Sequence, residues 1–252
     1  IDVKHCRPVV HYLNGEYWGH YFIREKLNEN YVAGHYNVDA SEATVTVANG
    51  KTSPEYTELV NFAHTHDLRN QEHSDYMKSQ VDIENYIDYI VAEMVISNTD
   101  NGNIRFFTYE GGKWRWIMYD VDQSFRTASY NTVSEHLNPA GTGSANMFST
   151  RLINALLKNP EFKEKFLRET AYQLKNVWTV ENVNAYVDTF RDMIINDIGK
   201  DCIRWERKYE TWESSVNNMR SFIAAREKYV VQYIQSYFDL SDAYMRELGF
   251  EV

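Results

Sequence analysis

Residues 104–119 constrain the fold more than any other part of the chain. The segments 104–109 (IRFFTY) and 114–119 (WRWIMY) are dense in aromatic and β-branched residues, and the E-G-G-K between them carries two adjacent glycines, so a β-hairpin is expected. With Tyr109 opposite Trp114, the ladder sets Ile104 opposite Tyr119 and Asn103 opposite Asp120. Asp100, Asn101 and Asn103 then meet Asp120 and Asp122 at the open end of the hairpin. Upstream, Ile83, Ile87, Ile90, Val91, Met94 and Val95 recur at helical spacing over 81–98, with Ser79 and Asp82 spaced as a capping box. A helix therefore delivers the polar loop 98–103 to that open end.

Carboxylates and amides gathered in this way suit a hard divalent cation, which takes oxygen ligands and leaves room for phosphate oxygens and water. Phosphoryl transfer is the chemistry such a set favours: one Asp orients or deprotonates a hydroxyl, while an Asn and a second Asp hold the metal. The plain alternative is that Asp and Asn serve here only as turn and cap residues.

The same residues resemble the spore coat protein H (CotH) kinase family. The resemblance rests on N-T-D at 98–100 with Asn103, on W-I-M-Y-D-V-D-Q-S-F at 116–125, and on N-G-E-Y-W-G-H-Y-F-I-R-E-K at 14–26. It implies an atypical protein kinase distantly related to the protein-kinase fold, using ATP with Mg²⁺ or Mn²⁺. The acceptor would be a protein Ser/Thr hydroxyl, and the setting extracellular or at the cell surface, as in a spore coat. Asp100 would be catalytic; Asp120, Asp122 and Asn103 would hold metal; Glu25, Gly19 and Tyr119 would contact the nucleotide. Two departures stand out. Ordinary kinases have four residues between the catalytic Asp and the metal-binding Asn, whereas only two separate Asp100 from Asn103, which leaves Asn101 and Asn103 both open as ligand. The family also implies further strands ahead of the 14–26 motif, so the lysine that clasps the nucleotide is expected outside this sequence.

From the residues themselves, Asn14-Gly15 between 7–13 and 16–24 signals a second hairpin with a type I′ turn. Gly19 within its second strand marks either a twist or bulge, or a close approach by a ligand. Glu25, in the run R-E-K-L, reads as part of a solvated charge run, against the site carboxylate that the resemblance implies. Further along, 28–34 reads as a short helix ending at Gly34, 42–47 as a strand closed by a turn at Asn49-Gly50, and 54–66 as a helix with Pro54 in its first turn. His64 and His66 read as surface or capping groups. The stretch 129–149 is a long loop, the length at which loops are usually functional lids or disordered, and the resemblance sets it where a kinase has its activation or substrate loop. Helices are expected over 148–158, 160–176, 180–198, 203–209 and 216–238, with the aromatic residues around Trp205 and Trp212 buried against the core.

Composition excludes some partners. A formal net charge of −10 disfavours nucleic acid, whose backbone must be neutralised by Lys and Arg. No apolar run reaches the ~18 residues of a membrane span. The sequence opens at Ile1 with strand-like residues, as a fragment or mature domain would. Aromatic residues make up 15%, enough to expect some at the surface. Cys6 and Cys202 suit either a disulfide or two buried thiols.

The expected fold is α+β and protein-kinase-like: a strand-containing small lobe (1–70, truncated at its start) and a helical lobe (71–252), divided in the polar segment 67–81. Two other functions fit the same residues. One is a non-catalytic surface or coat module with a structural cation; the other is a glycan hydrolase using Asp100 and Asp120 as acid and base.

Overall fold

The structure, a computed structural model, describes residues 1–47, 53–100, 102–137 and 150–252. At its centre lies the expected hairpin, β5 (Arg105–Tyr109) and β6 (Arg115–Met118), antiparallel with Arg105 opposite Ile117, Phe106 opposite Trp116 and Phe107 opposite Arg115. This is one residue off the register expected from pairing Tyr109 with Trp114. The reason is tertiary: the Trp114 backbone is taken by the helix junction behind it, its N–H donating to Gln80 O (2.8 Å) and its carbonyl accepting from Asp82 N (3.0 Å). A slip of one residue exchanges the two faces of a strand. Phe106 and Trp116 accordingly share one face and pack against Tyr56 and Tyr86, while Phe107 and Ile117 face the other way onto Tyr31 and Val32.

The hairpin is the interior of a four-stranded sheet. Its neighbours are β1 (Asp2–Val3), parallel to β6, and β4 (Ala43–Val47), antiparallel to β5, giving the order β1-β6-β5-β4. The fold is α+β. Strands from both sides of residues 67–81 share this one sheet, and 67–81 is itself structured. Helix α3 (Gln71–Gln80) fills most of it, capped by the Asn70 side chain and anchored by buried Ser74 and Met77. So polar a stretch shows little apolar periodicity, and its cap is the clearer signal.

Helices α1 (Glu29–Tyr36) and α2 (Pro54–Thr65) precede α3, and α4 (Ile83–Ile96) follows it. α1 runs past Gly34 and stops at Asn37, whose φ of 54° is the left-handed conformation that Asn tolerates. α4 is capped by Asp82, which accepts from Asn85 N (3.1 Å). Ser79 belongs to the end of α3, where its hydroxyl donates to Tyr76 O (2.7 Å), so the expected capping box does not form. The histidines of α2 act at helix ends: His64 Nε2 donates to Arg151 O (2.9 Å) and His66 Nδ1 to Phe62 O (3.1 Å).

The hairpin of β2 (Cys6–Leu13) and β3 (Glu16–Arg24) forms a separate two-stranded sheet, turning through Asn14 and Gly15 at positive φ. It shows a register shift at His11/Tyr12 and exposes Tyr12, Tyr21, Phe22 and Ile23. Cys6 is exposed and Cys202 buried, and both are free thiols.

The C-terminal half comprises α5 (Thr132–Leu137), α6 (Arg151–Leu156), α7 (Pro160–Asn176), α8 (Val180–Ile194), α9 (Ile198–Arg204), α10 (Tyr209–Phe238) and α11 (Asp242–Leu248). α7 has its expected bounds. The helix expected over 203–209 is instead α9, which ends at Arg204 because the chain turns through Glu206 at positive φ, and α10 then begins well before residue 216. Trp205, expected in the core, is exposed and edge-on to Trp18. α5 occupies the first part of the expected 129–149 loop. Residues 138–149 and the Asn49-Gly50 turn lie outside the described residues. No helix among the described residues is long and apolar enough to cross a membrane.

α10 joins the two halves through Arg226, which is fully buried. Its guanidinium donates to Val95 O (3.0 Å), Met94 O (2.6 Å), Ala128 O (2.5 Å), Tyr130 O (2.8 Å) and Thr132 Oγ1 (2.6 Å). A cation is thereby set on the carbonyl end of α4, where the helix dipole favours it.

Candidate active site

α4 ends at Ser97, at φ 59°, and the chain breaks into the loop that the sequence marks as polar. The loop is organised by Asn98, which is buried. Its Nδ2 donates to Glu93 Oε2 (2.8 Å), its Oδ1 accepts from Asp100 N (3.1 Å), and its carbonyl accepts from His136 Nε2 (3.1 Å). A further turn is closed by Asn103 N to Asp100 O (3.2 Å).

On the other strand, Asp120 sits at φ 51°, and its Oδ2 accepts a hydrogen bond from Asn103 Nδ2. Asn103 and Asp120 thus meet as expected although the ladder is offset by one, because β6 ends at Met118 and the chain turns back at Asp120. The turn after Asp120 is fastened to α4 by Phe125 N to Ile96 O (2.9 Å), and the Phe125 ring packs on Phe222 of α10 (centroids 5.1 Å). Asp100 is half-buried on the loop beside Asn103, whereas Asp122 is exposed and accepts from Gln123 Nε2 (3.3 Å). Asn101 lies outside the described residues.

Two buried titratable groups support the loop. Burial pushes the Glu93 carboxyl up to about 7; hydrogen bonds from Asn98 and Tyr89 oppose this, and the charge of Asp100 adds to it. Burial pushes His136 down to about 4, so its ring is neutral at physiological pH and donates from Nε2 to the Asn98 carbonyl.

Beside the hairpin's open end lies a cleft of about 420 Å³, lined by Lys4, Lys26 and Arg105, by Glu25 and Glu29, and by Tyr119. The Tyr119 ring carries Arg105 at 4.3 Å from its centroid and Lys4 Nζ at 5.2 Å. Lys4 is lowered by burial and by Arg24, against the attraction of Asp120, so its ammonium and that carboxylate feel one another. Tyr119 and Glu25, both expected to contact nucleotide, share this cleft. Burial would raise Glu25, but the His5 backbone N–H and the His35 ring outweigh it and hold the carboxyl below its usual range.

Gly19 is placed elsewhere, against α9. At φ 144°, a Cβ there would stand 2.9 Å from both Asp201 Oδ1 and Trp205 Nε1, and the adjacent His20 N donates to the same Asp201 oxygen (2.8 Å). Its lack of a side chain admits a helix.

A cleft of about 480 Å³ lies at the opposite end of α4, about 20 Å along the helix, against Met77, Val81 and Ile83. It has no part in the loop chemistry.

Sequence reasoning did not single out Lys4, Arg105 or Glu93. Lys4 is placed by the parallel pairing of Val3 with Met118, which sets the next residue beside Tyr119. A two-residue strand leaves no periodic signal. Glu93 does leave one, a carboxylate on the apolar face of an otherwise buried helix. In comparisons with known proteins, the family model described as CotH kinase protein matches residues 1–230. No curated protein matches the chain.

Proposed function

The chain belongs to the CotH kinase family, and from that premise we propose that it is an atypical protein kinase, transferring the γ-phosphate of ATP to a Ser/Thr hydroxyl of a protein outside the cell or at its surface. The observation that carries this reading is the Asn103–Asp120 contact beside a cleft lined by Lys4 and Arg105. A helix, a polar loop and an antiparallel hairpin ending in Asp are also the arrangement of a protein-kinase core, which supports a distant likeness in fold.

Asp100 orients the acceptor hydroxyl and accepts its proton, its loop held by the Asn98–Glu93 bond. Asp120, Asp122 and Asn103 offer the oxygen donors that Mg²⁺ or Mn²⁺ prefers. Bound there, the ion would neutralise charge on the transferring phosphoryl group. Lys4 and Arg105 supply positive charge for phosphate oxygens, and Tyr119 an aromatic face. Glu25 lines the same cleft, and Gly19 keeps its hairpin docked on α9. Lys4 takes the part for which a lysine was expected outside the sequence. The aromatic residues exposed on β2–β3, Tyr12, Tyr21 and Phe22, favour a second reading, a non-catalytic surface module.

Calorimetry of ATP binding with and without Mg²⁺ or Mn²⁺ tests the proposal. Metal-dependent binding is expected in the native chain and lost in Asp120→Asn at unchanged melting temperature. Equal affinity in the two proteins refutes the site, and absence of binding in the native chain favours the surface module.

A further inference from the structure

The sequence spreads His5, Glu25 and His35 over thirty residues with no ligand-like spacing, yet the fold brings them together. His35 Nε2 lies 2.8 Å from Glu25 Oε1 and His5 Nδ1 lies 3.3 Å from Glu25 Oε2, and one ligand atom from each residue falls within 4.8 Å of the others. Among the described residues this is the one such group of three His, Cys, Asp or Glu ligands. We propose that His5, Glu25 and His35 form a binding site for a borderline divalent transition metal, of the Zn²⁺ class, chemically distinct from the oxygen-rich Asp100–Asp120 region.

The donor set decides the class of ion. Two imidazoles and one carboxylate suit Zn²⁺, Ni²⁺ or Cu²⁺, whereas carboxylate and amide oxygens alone suit Mg²⁺ or Mn²⁺. Three protein ligands at the surface leave a position for water. At a metal–nitrogen distance of about 2.0–2.1 Å, tetrahedral ligand atoms stand about 3.3 Å apart, so no pair need close by more than about 1.5 Å.

The structure shows which part moves. His35 is held against buried Tyr31 (centroids 4.2 Å), and Glu25 is fixed to His5 through its carboxylate on the His5 N–H (2.7 Å) and its own N–H on the His5 carbonyl (3.1 Å). The His5 ring, 76% exposed, is free to swing, and it already lies over His35 at 5.5 Å. Bound metal would clamp the open end of the β2–β3 hairpin, where β2 begins and β3 ends, to α1. Without it, the same contacts are ordinary histidine–carboxylate bonds, and the experiment separates the two cases.

Tag-free protein is titrated with Zn²⁺ alone by calorimetry, and with Cu²⁺ alone for electron paramagnetic resonance. Expected are one Zn²⁺ per chain, affinity at least about tenfold weaker in His5→Ala and in His35→Ala, and Cu²⁺ superhyperfine lines from two nitrogens in the native chain. Asp120→Asn should bind Zn²⁺ as the native chain does, so failure of the kinase reading leaves this result untouched. The proposal is overturned if the native chain takes up no Zn²⁺, if both His variants keep its affinity, if binding is lost instead on replacing by Ala either of the other adjacent pair of imidazoles, His66 and His73 (centroids 4.8 Å), or if the Cu²⁺ spectrum shows fewer than two nitrogens.

Discussion

Replacing Glu93 by Gln should stabilise the protein at alkaline pH and leave it nearly unchanged in acid. Glu93 is 1% exposed, and its folded-state pKa stands at about 7 against an ordinary 4.5. In the folded protein the carboxyl therefore keeps a proton that the unfolded chain releases. Below pH 4.5 both states are protonated and the burial costs nothing. As pH rises through about 7, stability falls by about 3 kcal/mol, the equivalent of that difference in pKa. Gln cannot ionise, so it escapes the loss. It also keeps the local bonds, because its amide oxygen accepts from Asn98 Nδ2 and its amide nitrogen faces the Tyr89 hydroxyl. Urea unfolding of both proteins at pH 4.5 and pH 8 reads the effect. The stability difference should move by about 3 kcal/mol in favour of Glu93→Gln between the two. A difference constant to within about 0.5 kcal/mol would refute the buried, proton-holding carboxyl.

Arg226→Met removes its bonds to four buried carbonyls and a hydroxyl; Met94 O and Tyr130 O keep donors in the Thr132 hydroxyl and the Thr132 N–H, whereas Val95 O and Ala128 O lose theirs, which should cost about 2–5 kcal/mol. For a chain of this length that lowers the melting temperature by on the order of 10 °C, and a drop of under about 2 °C by calorimetry would contradict the bonding described. Gly19→Ala combines a positive φ with two contacts of 2.9 Å against α9. It should cost about 1–3 kcal/mol and loosen the hairpin, read by urea unfolding and by Trp205 fluorescence. Unchanged stability and emission would show that α9 is not docked on Gly19.

What the sequence disclosed was local. The hairpin turn, the apolar period of α4, the prolines that open α2 and α7, and the Asn103–Asp120 meeting all depend on residues close in the chain or across one turn. What it withheld was set by distant partners. The ladder slipped by one because the α3–α4 junction takes the Trp114 backbone, and no property of E-G-G-K contains that fact. α3 lacked an apolar stripe because only Ser74 and Met77 need to be inside. Arg226, one cation within a long polar-rich helix, looks like any solvated arginine until the carbonyls of α4 and of residues 128 and 130 are placed around it. Asn103 and Asp120 were legible because turn chemistry brings them together. Lys4 was not, because a tertiary pairing does.

That pairing rests on side chains. A strand of two residues has too few ladder bonds to hold itself; the Tyr31 hydroxyl donates to the Val3 carbonyl (2.9 Å), and the larger share of the bonds goes through Asp2. Its carboxylate accepts from Arg115 Nε (2.9 Å), from Asn85 Nδ2 (2.9 Å) and from the Tyr36 hydroxyl (2.5 Å), groups on β6, α4 and α1. Arg115 reaches on to Asp82, the cap of α4, so the start of that helix and the start of the chain share one charge network. With Asp2 fixed and Val3 paired to Met118, Lys4 is set over Tyr119 and the following His5 meets Glu25. The cleft beside Asp120 and the His5–Glu25–His35 cluster therefore depend on the same anchor, and Glu25, which lines the first and belongs to the second, is where the two are physically joined.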